Sequence, residues 1–138
     1  MTLYGQCDGA SRGNPGESGI GVIIRDAKGN VLYAEGGYIG RATNNIAEYE
    51  ALLACLSKAR ALGCTRLVVQ SDSELMVRQL QGTYKVRDKK LQKYFLKVNE
   101  LLQPGTFDFT IVHVDREKNR DADMLANAGI DSKRKLRV

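Results

Sequence analysis

The first forty residues contain three stretches rich in apolar side chains, at positions 3–8, 20–25 and 31–39. The second stretch is rich in β-branched residues, which favour strands. Between the second and third stretches lies Asp26-Ala27-Lys28-Gly29-Asn30, whose composition is typical of a turn. Two apolar stretches around a Gly/Asn turn predict an antiparallel hairpin. The first strand is expected to end at position 8, before the loop Gly13-Asn14-Pro15-Gly16.

The spacing of apolar residues changes to a helical period after position 45. Apolar residues recur every three or four positions from Ile46, which predicts a helix that ends near Gly63. The later predictions are a strand over 66–70, a short helix over 74–80, a long helix over 91–102, a strand over 107–114, and a closing helix capped by Asn119 that runs to Gly129.

This order of elements predicts an α/β protein with a mixed five-stranded sheet flanked by helices. The first three strands should be antiparallel to their neighbours. The fourth and fifth should run parallel to the first, because helical crossovers join them. Ligands bind beyond the carboxyl ends of parallel strands in such sheets. The predicted site therefore lies beside Asp8 and Asp72, which follow the first and fourth strands.

A chain of 138 residues with 43% hydrophobic residues is expected to form a single domain over 1–138, with a frayed basic tail at about 131–138. No apolar segment approaches the roughly 20 residues of a membrane helix. The first residues lack the pattern of a signal peptide, which indicates a cytoplasmic protein. We expect a monomer with no membrane partner. We also expect buried, reduced cysteines, because Cys7, Cys55 and Cys64 fit no zinc pattern.

Four acidic residues lie where a predicted strand ends or a predicted helix begins: Asp8, Glu48, Asp72 and Asp123. Each suits an ordinary turn, cap or first helical turn when taken alone. Those explanations give no reason for four acids to gather at one edge of one sheet. Gathered carboxylates repel one another unless cations hold them, and their oxygen atoms suit Mg²⁺ or Mn²⁺. The net charge of +5 then favours a polyanionic partner such as nucleic acid.

The motifs around these acids resemble those of type 1 ribonucleases H, and the match runs from about Leu3 to Ala128. It is carried, in order, by Asp8-Gly9-Ala10-Ser11-Arg12-Gly13-Asn14-Pro15-Gly16, Thr43-Asn44-Asn45-Ile46-Ala47-Glu48, Ser71-Asp72-Ser73 and Asn119-Arg120-Asp121-Ala122-Asp123-Met124-Leu125-Ala126. Four motifs in the correct order are far more specific than any single one. The resemblance implies a ribonuclease H-like fold.

The same resemblance implies an endonuclease that hydrolyses the RNA strand of RNA–DNA hybrids and leaves 5′-phosphate and 3′-hydroxyl ends. Two Mg²⁺ or Mn²⁺ ions per site would act together with bound substrate. Asp8 would bridge the two ions, Glu48 and Asp72 would bind on the leaving-group side, and Asp123 on the water side. Mutual repulsion is expected to raise the pKa values of acids in this cluster when cations are absent.

The resemblance also implies contacts with the hybrid. Ser11, Asn14, Asn44 and Asn45 would line the minor groove, where short polar side chains bond 2′-hydroxyls and base edges. Thr43 would contact a phosphate of the DNA strand. The same residue types also suit turns and helix caps. Position 74 departs from the family, because Glu74 replaces the usual Gln and cannot donate a hydrogen bond when ionised.

Two further features of the family are missing. A basic helix and loop that many relatives carry is absent after residue 82, and basic residues from Lys85 to Lys97 either replace part of its function or form a solvated face. The usual histidine of the loop before the last acid is also absent. We expect His113 to be a packed core residue, because it lies in an apolar strand. Arg116 is expected to act electrostatically on the scissile phosphate or the product.

Two alternatives remain open from the sequence. The first is another metal-dependent nuclease of the same broad fold, such as a 3′–5′ exonuclease or a junction resolvase. Those exonucleases usually carry an acid two residues after the first Asp, where this chain has Ala10. The second is a hybrid-binding module without catalysis, which the retention of all four acids disfavours.

Overall fold

The computed structural model describes residues 1–136. In these residues the elements follow the predicted order, with one short 3-10 helix added before the last α-helix. The bounds are β1 Thr2–Gly13, β2 Gly16–Arg25, β3 Val31–Ala42, α1 Asn44–Ala61, β4 Arg66–Ser71, α2 Glu74–Leu80, α3 Lys89–Leu101, β5 Asp108–His113, the 3-10 helix Arg116–Asn119, and α4 Arg120–Ser132.

The five strands form one mixed sheet in the order β3-β2-β1-β4-β5. β1 and β2 are antiparallel, as are β2 and β3, whereas β4 runs parallel to both β1 and β5. The predicted fold class is therefore confirmed. The parallel pairing of β1 with β4 ends at Gln6 and Gln70, so the next residues of both strands extend beyond it.

The first strands are longer than the apolar pattern predicts. β1 continues through Gly9 to Gly13, and β2 begins at Gly16, so that only Asn14 and Pro15 connect them. The added residues are mostly polar or glycine and therefore show no apolar alternation. Backbone hydrogen bonds between the two antiparallel strands hold this part of the hairpin, and such bonds do not depend on apolar side chains.

Helices cover both faces of the sheet. Gly5 of β1 lies against Cys55 of α1 on one face. On the other face α4 lies so close to β2 and β3 that a Cβ atom at Gly21 or Gly36 would collide with the α4 backbone. Large apolar side chains fill the space between α1, α3 and the sheet. The close approach of α4 brings its first turn to the edge where β1 and β4 separate.

Residues 133–136 lie against the sheet, so the prediction of a frayed tail is wrong for these residues. The backbone N–H of Tyr38 in β3 donates to the carbonyl of Arg134 over 2.6 Å. Lys133 pairs with Glu17, and its ammonium nitrogen lies 4.7 Å from the centre of the Tyr38 ring. Leu136 packs against the core. Apolar and backbone contacts therefore hold this segment on the sheet despite its positive charge. Residues 137 and 138 lie outside the described part.

Asn119 occupies the position before α4, but its side chain does not cap the helix, so this part of the prediction is wrong. Its amide instead donates to the carbonyl of Cys7 in β1 over 2.9 Å. Among the described residues, no helix is both long and apolar enough to cross a membrane.

Candidate active site

Three acids from three separate elements meet at the carboxyl end of the parallel strands. Asp8 lies in β1 two residues beyond its pairing with β4, and Asp72 directly follows β4. Glu48 projects from the first turns of α1. One carboxylate oxygen from each residue lies within 4.8 Å of the others. The topology therefore brings together residues that are up to 64 positions apart in the chain.

Asp123 lies in the first turn of α4 and lines the same cleft, which has a volume of about 520 Å³. It is not one of the three acids whose oxygens lie within 4.8 Å of one another. The pKa of Asp8 is raised by burial first, then by the Glu48 charge, and further by the nearby side chain of Asp123. The structure thus brings all four predicted acids to one cleft, with Asp123 at its α4 side.

Glu48 is fixed by the backbone of β1. The N–H of Gly9 donates to a carboxylate oxygen of Glu48 over 2.6 Å. A Cβ atom at Gly9 would collide with the backbone of Ala47 and Glu48. Only glycine therefore allows α1 to approach β1 closely enough for this hydrogen bond.

Burial and mutual repulsion dominate the electrostatics of the cluster. Asp8 is only 4% exposed, and its burial raises its pKa far above the ordinary value, with a further increase from the Glu48 charge. Burial likewise raises the pKa of Glu48 to about 8, although the Gly9 N–H opposes that shift. At neutral pH, without cations, the pair therefore keeps at least one proton.

The donor set fits a divalent cation. The three clustered ligands are carboxylate oxygens, which are the donors that Mg²⁺ and Mn²⁺ prefer. A cation lowers the pKa of each carboxylate that binds it and so removes the repulsion that the fold imposes. Asp8, Glu48 and Asp72 can hold such an ion, and Asp123 borders the same space.

Two of the five residues predicted to contact the hybrid line the cleft. Ser11 and Asn44 line it, and Asn14 accepts a hydrogen bond from the backbone N–H of Asn44 over 3.1 Å. Thr43 caps α1 by accepting from the N–H of Ile46. Asn45 is exposed but does not line the cleft. Glu74 is likewise exposed at the start of α2, outside the lining.

His113 is not a core residue, and this expectation is wrong. It is exposed and lines the cleft together with Arg116, which begins the 3-10 helix. His113 is the last residue of the edge strand β5 and pairs only with Ser71, the last residue of β4. The apolar pattern of a strand does not show which of its residues the rest of the fold covers, and His113 at the end of an edge strand is left exposed.

Two residues that the sequence did not single out also line the cleft. Asn127 donates to the backbone carbonyl of Asp123 over 3.1 Å and to its carboxylate over 3.4 Å. Arg12 donates to the side chain of Asn127 over 3.4 Å and forms an ion pair with Asp131 over 2.6 Å. The spacing of four positions between Asp123 and Asn127 on α4 was the available signal, because such residues face the same side of a helix.

A basic groove lies beside the cleft. It has a volume of about 380 Å³ and includes Arg41, Lys90 and Lys93. Arg41 precedes the segment that leads to Asn44, which lines the cleft itself. All six basic residues that the sequence marked near α3 are exposed: Lys85, Arg87, Lys89, Lys90, Lys93 and Lys97.

The sheet order, the acid cluster and the adjoining polar and basic surface define a ribonuclease H-like domain. The model of the family described as "Reverse transcriptase-like" matches residues 6–129. The chain belongs to this family.

Three known proteins illustrate the similarity. Ribonuclease HI of Halobacterium salinarum is 42% identical over 94% of this chain, and the chain spans 64% of its length. The crystal structure of RNase H1 from Halobacterium salinarum NRC-1 has a TM-score of 0.91 and 39% identity, covering 96% of this chain and 99% of that one. The structure of LC11-RNase H1 in complex with an RNA/DNA hybrid has a TM-score of 0.90 and 43% identity, covering 94% and 97%.

Proposed function

We propose that this chain is an endoribonuclease that hydrolyses the RNA strand of RNA–DNA hybrids, leaving 5′-phosphate and 3′-hydroxyl ends. The observation that carries this proposal is the convergence of Asp8, Glu48 and Asp72 within 4.8 Å of one another. The similarity to Ribonuclease HI and to a structure that holds an RNA/DNA hybrid supports the substrate class. Mg²⁺ or Mn²⁺, two ions per site, would activate water and neutralise developing charge when substrate is bound.

The residues of the chain have distinct tasks in this proposal. Asp8, central and buried, would hold the cations together with Glu48, which the Gly9 N–H orients. Asp72 would hold them on the leaving-group side, and Asp123, oriented by Asn127, on the water side. The protein thus holds the charge in place before substrate arrives, so little reorganisation remains for the reaction itself.

Short polar side chains select the hybrid. Ser11 and Asn44 lie in the cleft lining, and Asn14 is held beside Asn44. Their oxygen and amide groups can bond 2′-hydroxyls and base edges across a shallow minor groove. Asn45 lies beside Asn44 at the start of α1 and would contact the same minor groove, while Thr43 can offer its hydroxyl to a phosphate of the DNA strand.

A cleavage assay on matched substrates tests the proposed function. The protein is incubated with end-labelled RNA–DNA hybrid, double-stranded DNA and single-stranded RNA, each with Mg²⁺ or EDTA. Internal cuts confined to the RNA of the hybrid, and only with Mg²⁺, are expected. Stepwise removal from an end would favour an exonuclease, and tight binding without cuts would favour a binding module.

Arg116→Ala is expected to lower kcat by roughly 10- to 100-fold, because the cleft loses a cation that can stabilise phosphate charge. The matched variant is His113→Ala, because His113 also lines the cleft, three residues before Arg116. It should leave the melting temperature unchanged, since His113 is exposed, and it should lower kcat less. A larger loss of kcat in His113→Ala would overturn this assignment.

The basic groove suggests how the chain binds the hybrid without the basic helix and loop that many relatives carry. We propose that Lys90 and Lys93 contact phosphates of the strand that is not cut. The double variant Lys90→Gln/Lys93→Gln should weaken hybrid binding and reduce the magnitude of the slope of log K against log salt by about 1–2. The reason is that binding releases fewer counterions when phosphate contacts are lost. Binding is measured by fluorescence anisotropy from about 50 to 200 mM salt.

The control for this experiment is Lys28→Gln/Arg66→Gln. Both residues are exposed, and they lie at the opposite end of the strands from the acids. This variant removes the same charge but should change the salt slope less. Equal slopes for the two double variants would show that only net charge matters.

We also propose that the protein acts as a monomer in the cytoplasm. Its three cysteines are buried free thiols, which suits a reducing compartment. The contact of Arg134 with β3 occupies part of an edge through which sheets associate. Light scattering after size exclusion, at assay concentration, should give the mass of one chain; the mass of a dimer would contradict the proposal.

A further inference from the structure

The segment between β5 and α4, residues 115–119, is held by two amide side chains that bond it to β1. Gln6 donates from its amide nitrogen to the carbonyl of Lys118 over 2.9 Å. Asn119 donates from its own amide to the carbonyl of Cys7, also over 2.9 Å. The two bonds join neighbouring residues of β1 to neighbouring residues of the segment. Each bond therefore limits how far the segment can rotate about the other.

The orientation of the Gln6 amide is fixed from its far side. Arg25 donates to the Gln6 oxygen over 2.7 Å, so this oxygen faces the guanidinium. The amide nitrogen must then face Lys118 and the side-chain oxygen of Gln70, which lies 3.2 Å away. Since only the nitrogen of an amide can donate, the reverse orientation would place two donors against each other at Arg25. The contact with Lys118 follows from this arrangement.

Asn119 is fully buried, and its side-chain oxygen has no hydrogen-bond partner among the described residues. Burying an unpaired carbonyl oxygen is unfavourable, and an apolar side chain of similar size would avoid that penalty. The amide at this position is therefore better explained by the placement that its N–H gives than by the stability that it adds.

Both ends of the bonded segment lead to the cleft. Arg116 begins the 3-10 helix of the segment and lines the cleft, and Asp123 follows in the first turn of α4. A displacement of residues 115–119 would move both groups relative to Asp8. Errors of about 1 Å in such groups can lower rates by roughly 100-fold.

We infer that Gln6 is a positioning residue that, together with Asn119, sets the place of Arg116 and Asp123 against Asp8. This inference rests on the proposed function. Gln6 does not line the cleft, so it acts through the segment and not on the substrate.

The chain supplies a matched pair for the test, because Gln6 and Gln70 are register partners on neighbouring strands. Gln6→Met keeps the length of the side chain but removes the donor to Lys118. Gln70→Met makes the same chemical change and leaves that donor in place. In Gln6→Met, kcat on the hybrid should fall roughly tenfold with KM within about twofold. Gln70→Met should keep the kcat of the wild type.

Hydrogen exchange gives a second measurement that does not depend on activity. In metal-free Gln6→Met, amides of residues 115–120 should exchange at least about tenfold faster than in the wild type, while amides of β2 keep their protection. Unchanged kcat and unchanged exchange in Gln6→Met would overturn the inference, as would equal losses in Gln70→Met. A wild type that cleaves no hybrid would refute the proposed function, and the exchange data would then still decide whether Gln6 holds the segment.

Discussion

Asp8→Asn is expected to end hydrolysis of the hybrid while leaving the protein folded. Asparagine keeps the shape of the side chain but cannot bridge two cations as a carboxylate does. Losing a partner that only orients a metal ligand costs 10- to 100-fold, so losing the central ligand should lower kcat by well over about 100-fold. Single-turnover cleavage with saturating Mg²⁺ measures the loss. Activity within about tenfold of the wild type would remove the basis of the proposed mechanism.

The same substitution should stabilise the metal-free protein at alkaline pH. The pKa of Asp8 is raised in the folded state, as is that of Glu48 to about 8, so the folded chain binds more protons than the unfolded chain above pH 4. Stability is therefore lost as pH rises from the unfolded pKa values toward these raised values. Asp8→Asn removes part of this penalty and should raise the free energy of unfolding at pH 8 by about 1–3 kcal/mol, with little change near pH 4.

Urea unfolding in EDTA at pH 5 and pH 8 measures this difference. The control is Asp26→Asn, because hydrogen bonds from Asn30 lower the pKa of Asp26. That variant should lose stability above pH 4, the opposite sign. Mg²⁺ should raise the melting temperature of the wild type and have a much smaller effect on Asp8→Asn. If Asp8→Asn is less stable at pH 8 than the wild type, the repulsion within the cluster has been misjudged.

Gly9→Ala should damage both the fold and the site. The added methyl group would collide with the backbone of Ala47 and Glu48, which cannot rotate away as a side chain can. We expect a loss of about 3 kcal/mol in the free energy of unfolding, because α1 must shift from β1. The shift would also break the hydrogen bond from Gly9 to Glu48, so kcat should fall by at least about tenfold.

Gly29→Ala provides the comparison. Gly29 has a positive φ of 85° in the turn between β2 and β3, and no atom lies within 4 Å of an added Cβ. The substitution should destabilise the protein by about 1 kcal/mol through backbone strain and leave kcat unchanged. A Gly9→Ala variant with the stability and rate of Gly29→Ala would show that α1 is not fixed by this contact.

The sequence predicts most of the fold because its elements have clear periods and clear ends. The bounds of α2 agree with the prediction, since Gly82 and the preceding strand limit it on both sides. The acids can be predicted to meet because parallel strands end at one edge. By contrast, the polar end of β1 was missed because its stability comes from backbone pairing with β2, which leaves no pattern of apolar residues.

The errors within the site have a common origin. The exposure of His113 depends on which distant elements cover the end of β5, and the bond of Asn119 depends on a carbonyl that lies 112 positions away. Arg12 of β1 reaches Asn127 only after α4 has docked on the sheet. Local patterns predict which residues carry charge, whereas the contacts between these residues are set by packing of distant elements.

The close packing of α4 on the sheet affects how the chain folds while it is being synthesised. One face of β2 and β3 stays uncovered until α4 has been synthesised. An uncovered apolar face is an aggregation risk in nascent chains. This face contains Gly21 and Gly36 where other sheets would carry large side chains. With glycine at these positions, the unfinished sheet exposes less apolar surface there than large side chains would expose, until α4 has been synthesised.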